Sequence, residues 1–158
     1  FFEYFGGTAP TQLLYGLRTA LDMIHSEGME AVWARHEALA RVIWAACESW
    51  AEGGPLTLNV AQAAHRSHAV TALRLGAPLG TDLRRWSEQE AGVTLGIGLG
   101  MSEPDDPKGD GFLRIGHMGH VNAHMVLGTL ASMQAGFDAL HIPYGSGALD
   151  KAAKAISA

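Results

Sequence analysis

Phe112-Leu113-Arg114-Ile115-Gly116-His117-Met118-Gly119-His120-Val121-Asn122-Ala123-His124-Met125 is the stretch on which the reading of this chain turns. It spells a short strand, a glycine-rich turn and the start of an apolar helix that runs to about Leu140. Strand side chains alternate between two faces. Phe112, Arg114 and Gly116 therefore share one face, and Leu113, Ile115 and His117 share the other. A guanidinium in so apolar a strand is costly to bury alone, because it neither deprotonates nor satisfies its five donors in a dry core. Two partners suit it: an internal carboxylate, or a carboxylate that arrives as a ligand. The planar fork grips an arriving carboxylate through two parallel hydrogen bonds, which a lysine ammonium cannot do.

Outward from this stretch the chain is read in order. Residues 1–9 are aromatic, glycine-rich and irregular, and Thr8 is placed to cap a helix whose first turn carries Pro10. Leu13, Leu14, Leu17, Leu21 and Ile24 recur at helical spacing as one apolar stripe, and Gly28 ends that helix. A second helix runs from about Met29 to Ala51 with Val32, Leu39, Val42, Ile43, Ala46 and Trp50 inward, and Gly53-Gly54-Pro55 stops it. Leu56-Thr57-Leu58 reads as a short edge strand, and Ser67 to Leu75 as a longer one. Thr81 is expected to cap a helix from Asp82 to Ala91, with Gly92 closing it. Val93 to Gly100 reads as a strand whose alternate glycines admit a close neighbour. Ser102 to Gly111 is a polar, acidic loop, and a short helix follows Gly145-Ser146-Gly147. The order predicts an α+β fold, a small, mostly antiparallel sheet with helices packed on one face. Residues 1–28 form a leading segment and helix, and 29–158 form the domain proper.

Composition limits the function classes. With 158 residues, 47% hydrophobic and 17% charged, the chain suits one globular domain with its own core. A net charge of -5 argues against nucleic acid and anionic membranes as partners. No run of about 18 apolar residues is present to span a bilayer. Cys47 is the single cysteine, so an intrachain disulfide or a cysteine metal cluster is ruled out and a cytoplasmic address is the default. The opening Phe-Phe-Glu-Tyr has neither an initiator methionine nor a signal-peptide layout, and suggests a chain whose earlier part is not included.

Arg114-Ile115-Gly116-His117-Met118-Gly119, followed by Asn122 and a helix of small residues, resembles the C-terminal motif of class V, fold-type I aminotransferases. The group it is similar to is that of the alanine/serine–glyoxylate and pyridoxamine–pyruvate enzymes. Thr8-Ala9-Pro10-Thr11-Gln12-Leu13-Leu14-Tyr15-Gly16-Leu17-Arg18 and Val32-Trp33-Ala34-Arg35-His36 resemble the same group in the same order. The resemblance covers nearly all of the chain but only the last part of such an enzyme. It implies pyridoxal 5'-phosphate as cofactor, a homodimer, and a large cofactor-binding domain with its covalent lysine ahead of Phe1. It implies that Arg114 binds the α-carboxylate of a small amino acid and of a small 2-oxo acid such as glyoxylate or pyruvate. It also implies that Tyr4 and Thr8 reach the cofactor phosphate of the neighbouring subunit. Here the chain departs from the familiar spacing: the tyrosine expected three residues before Thr8 is Phe5, with Tyr4 one position earlier. Without the covalent lysine, the 158 residues alone are expected to be inactive.

Other features invite different readings. His117, His120 and His124 have ligand-like spacing, but Val121 stands where a metalloprotease helix has its glutamate, so no metal is expected. The Gly96–Gly100 run lacks the lysine and hydroxyl of a nucleotide loop. Lys108, Lys151 and Lys154 sit in polar settings that would not lower an ammonium pKa for covalent catalysis. A desulfurase would need a mobile-loop cysteine, whereas Cys47 falls mid-helix. The tryptophans at 33, 44, 50 and 86 read as packing or interface residues. The alternative to an enzyme part is a non-catalytic carboxylate-binding or oligomerisation module.

Overall fold

The computed structural model describes residues 2–103 and 105–157, with side chains from Tyr4 onward. It divides into two compact units, Phe1–Arg35 and His36–Ala158.

The first unit holds α1 (Phe2–Phe5), α2 (Thr11–Glu27) and the opening turns of α3 (Met29–Ala51). The helical spacing of leucines correctly announced α2, but none of its residues is buried; Leu13, Leu17, Leu21 and Ile24 are all exposed. The expected Thr8 cap is not formed. Pro10 occupies the N-cap position and no side chain caps the helix, so Thr8 is left as an exposed loop residue. Gly28 takes φ 85, a left-handed value that glycine adopts without a Cβ penalty, and lets α2 turn into α3. The Arg35 guanidinium grips Glu27 across that turn at 2.6 and 2.9 Å, a two-point contact that raises the arginine pKa further.

The second unit is an α+β layer. Its sheet comprises β1 (Thr57–Leu58), β2 (Val70–Arg74), β3 (Gly96–Ile97) and β4 (Phe112–Gly116), in spatial order β1-β2-β4-β3. Every pairing is antiparallel, with Ala72 opposite Arg114 and Gly96 opposite Arg114 on its other side. Leu73, Leu113 and Ile115 point into the core with Val42, Ile43 and Trp50 of α3. Leu83 of α4 (Leu79–Glu90) and Leu130, Met133 and Phe137 of α5 (Ala123–Ala139) complete it, with Ala152 of α6 (Ala148–Ile156). Trp50 and Phe137 meet edge-on, their ring centroids 5.1 Å apart. Fully burying side chains of this size is worth about 1.5–3 kcal/mol each, which makes this layer the source of the unit's cohesion.

Three boundaries differ from the sequence reading. Helix α4 begins at Leu79, behind Pro78, and Thr81 is not its cap; the Thr81 hydroxyl donates instead to Asp110 Oδ1 at 2.8 Å. The strand expected over Val93–Gly100 pairs only at Gly96–Ile97, because the Leu99 amide turns back to the Ile97 carbonyl at 2.9 Å and Gly100 follows at φ 71. The strand expected over Ser67–Leu75 pairs over Val70–Arg74. Among the described residues no helix is long and apolar enough to cross a membrane.

Candidate functional site

Arg114 occupies the middle of β4, on the sheet face turned away from the core. The strand's burial alternates, with Leu113 and Ile115 buried and Phe112 and Arg114 half-exposed. Arg114 Nε donates to the Ile97 carbonyl of β3 at 2.6 Å. Among the described residues no ion pair involves Arg114, so no internal carboxylate saturates the guanidinium. Its immediate neighbours on this face are Ala72, Gly96 and Gly116, with Phe112 beside them. The second arginine of the face, Arg74, leans the other way. It donates to Asn59 Oδ1 at 2.6 Å and lies over the Phe112 ring at 5.6 Å. The acidic loop opens onto a cleft lined by Glu103, Asp105, Asp106 and Asp110, and Ile97 and Gly98 form its other wall. The arginine of that cleft, Arg84, is engaged by Thr81 at 2.6 Å. The carboxylates of the cleft repel a carboxylate ligand.

The opposite face of β4 carries an arrangement that the sequence reading missed. His117 is buried at 1% exposure, and its Nε2 lies 2.9 Å from Thr71 Oγ1, which also accepts from the Trp44 indole at 3.1 Å. An indole N–H only donates, so the threonine oxygen accepts from it, and the same oxygen is hydrogen-bonded to His117 Nε2. The other ring nitrogen, Nδ1, is buried on the side of the His68 backbone. Burial holds the His117 pKa below its ordinary value. The His68 backbone works against this, and the His36 and His68 side chains add to it. The turn beyond is held from α3, since His36 Nε2 accepts the Gly119 amide at 3.0 Å. Strand alternation does place His117 on the Leu113 and Ile115 face, which was the available clue. Thr71, 46 residues earlier in sequence, and Trp44 behind it left no local trace.

The remaining candidates stand as follows. Tyr4 and Thr8 lie in the first unit, exposed, and neither hydroxyl has a hydrogen-bond partner among the described residues; Tyr4 is 87% exposed. With α2 lacking a side-chain cap, its first-turn amides and these hydroxyls are chemically suited to a phosphate. The three lysines are all exposed, Lys151 pairing with Glu52 at 2.8 Å, and none has the desolvated setting of a covalent lysine. Helix α5 begins at Ala123, capped by Asn122 Oδ1 accepting from the Met125 amide at 3.0 Å. His120 therefore precedes the helix and does not share a face with His124. No group of three His, Cys, Asp or Glu among the described residues is arranged to hold a metal.

A serine–glyoxylate aminotransferase of Arabidopsis thaliana is 36% identical over 132 residues, which cover 83% of this chain and 30% of the relative. The serine–glyoxylate aminotransferase of Hyphomicrobium methylovorum is 34% identical over 152 residues, covering 93% and 34%. Pyridoxamine–pyruvate aminotransferase of Mesorhizobium loti matches in structure with a TM-score of 0.81 at 27% identity, over 97% of this chain and 37% of its own. Ureidoglycine–glyoxylate aminotransferase of Bacillus subtilis matches with a TM-score of 0.77 at 23% identity, over 92% and 35%, a likeness of fold. No family profile matches the chain. The chain spans about a third of the length of the curated relatives it matches.

Proposed function

We propose that this chain, which belongs to the aminotransferase family of those relatives and corresponds to its C-terminal small domain, supplies the substrate-carboxylate clamp of a class V transaminase. The amino group would move between a small amino acid of the alanine or serine type and a small 2-oxo acid such as glyoxylate or pyruvate. The observation that carries this reading is Arg114, a strand guanidinium on an open sheet face without an ionic partner among the described residues.

Pyridoxal phosphate, when bound, supplies the electron sink on which amino transfer depends. Thr8, Tyr4 and the uncapped start of α2 are the groups of this chain suited to its phosphate. Its covalent lysine belongs to the large domain that the family places ahead of this one, so the 158 residues by themselves are inactive in this reading. Arg114 binds the carboxylate common to amino donor and 2-oxo acid, and so fixes the substrate's Cα before any proton moves. The same arginine serves both half-reactions, because both substrates carry that carboxylate. The reading includes a homodimer and a cytoplasmic address.

A chimera tests it. Residues 36–158 would replace their counterpart in the Hyphomicrobium methylovorum enzyme, and serine–glyoxylate transamination would be measured with and without Arg114→Lys. The expected result is an active chimera in which the substitution raises KM for both substrates about tenfold or more while the cofactor stays bound. An arginine-to-lysine chimera with unchanged KM for both would refute the assignment. A non-catalytic carboxylate-binding or oligomerisation module is the second reading, favoured by the exposed leucines of α2.

A further inference from the structure

The strand beside the clamp is made of alternating glycines, and their purpose is readable from what a side chain there would strike. Neither Gly96 nor Gly98 has a positive φ, so backbone conformation does not require glycine at either position. Space does. A Cβ on Gly98 would lie 2.3 Å from Phe112 Cβ, and one on Gly96 would lie 3.3 Å from Arg114 Cβ and 3.5 Å from Arg114 Nε. The Ile97 carbonyl between them accepts twice, from Leu99 N at 2.9 Å and from Arg114 Nε at 2.6 Å. The tight turn at Leu99 therefore aims this oxygen, and the two glycines let β3 lie close enough for the arginine to reach it.

We infer that Gly96, Ile97 and Gly98 are positioning residues for the clamp. They fix the guanidinium by its Nε, so that an incoming carboxylate is met end-on by Nη1 and Nη2 rather than side-on through Nε. This rests on the reading of Arg114 as the carboxylate contact and specifies its geometry. A guanidinium has five donors, and Nε supplies one. With that one spent on a backbone carbonyl, the two terminal nitrogens form a fork pointing away from β3. The fork is ordered before the ligand arrives. Ordering a long side chain at binding costs about 0.5–1.5 kcal/mol, so fixing it beforehand is worth about twofold to tenfold in affinity.

The experiment is side-chain NMR on the uniformly 15N- and 13C-labelled chain, titrated with sodium pyruvate against sodium chloride at matched ionic strength. The Arg114 Nε–H is expected to be protected from exchange, unlike that of the exposed Arg41, and to show scalar coupling to the Ile97 carbonyl carbon. Pyruvate should move the Arg114 Nη signals and leave Nε in place. Gly98→Ala should abolish the coupling and weaken pyruvate binding about twofold to tenfold. Gly96→Ala, which presses on the arginine stem without the severe clash, should weaken the coupling with the fold retained. An unprotected Nε–H, or an Nε signal that shifts with pyruvate while Nη stays still, would overturn the inference. A protected, coupled Nε with no Nη response to pyruvate would support the fixed guanidinium and refute the carboxylate reading instead.

Discussion

Replacing Thr71 with valine is the sharpest test of how β4 is held. The hydroxyl stands between two buried groups, 3.1 Å from the Trp44 indole nitrogen and 2.9 Å from His117 Nε2. Valine keeps the shape and removes both hydrogen bonds. The indole N–H and the imidazole nitrogen are then left unpaired in the core, at about 1–3 kcal/mol each. The methyl that replaces the hydroxyl returns roughly 0.8 kcal/mol of apolar burial, so the net loss is about 1–5 kcal/mol. Urea unfolding followed by far-ultraviolet circular dichroism measures it, read as a shift of midpoint at constant slope. The same substitution in a Trp44→Phe background should cost about 1–3 kcal/mol less, because only the imidazole is then orphaned. A Thr71→Val loss under about 0.5 kcal/mol, or strict additivity with Trp44→Phe, would refute the reasoning.

Three further outcomes are expected. Because burial lowers the His117 pKa, the unfolded chain takes up this proton first as pH falls below about 6.5. The His117 contribution to stability is thus full at neutral pH and is lost on acidification, by at most about 1.4 kcal/mol per pH unit; Gln at 117 should flatten that part of a stability–pH curve. Cys47 is fully buried with its thiol pushed up to about 12, so it should ignore a disulfide reagent in the native chain and react once denatured. Gly54→Ala would set a Cβ 1.9 Å from the Pro143 carbonyl oxygen, a backbone clash expected to cost about 3 kcal/mol or more in thermal unfolding; a variant melting like the parent contradicts it.

The parts of the fold that were readable in advance are those where periodicity and punctuation agree. Helix α3 ends at Ala51 because Gly53-Gly54-Pro55 follows, and β4 alternates as Phe112 to Gly116 spell it. Where the deciding neighbour is remote, the sequence was silent. Gly54 looked like a helix stop, but it also admits the Pro143 carbonyl from nearly 90 residues later. Thr81 looked like a cap, but its hydroxyl is taken by Asp110. His117 drew attention as a metal ligand, whereas its role in the structure is a hydrogen bond to Thr71 inside the core. Arg114 was singled out because a cation in an apolar strand demands a partner, an argument that needs only local sequence. Its bond to Ile97 depends on the course of β3 and could not be foreseen.

The claim at the centre is that the Arg114 fork receives a carboxylate, and the most direct measurement is the pyruvate dissociation constant of the parent chain against Arg114→Lys. Backbone amide shifts of Gly96 and Gly116 report binding, and those of Leu113 and Ile115 report that the strand is intact. Loss of the charge-assisted, two-point contact should weaken binding about tenfold to a hundredfold with the strand signals unmoved. Equal constants for the two proteins, or no response of either glycine to pyruvate in the parent chain, would contradict it.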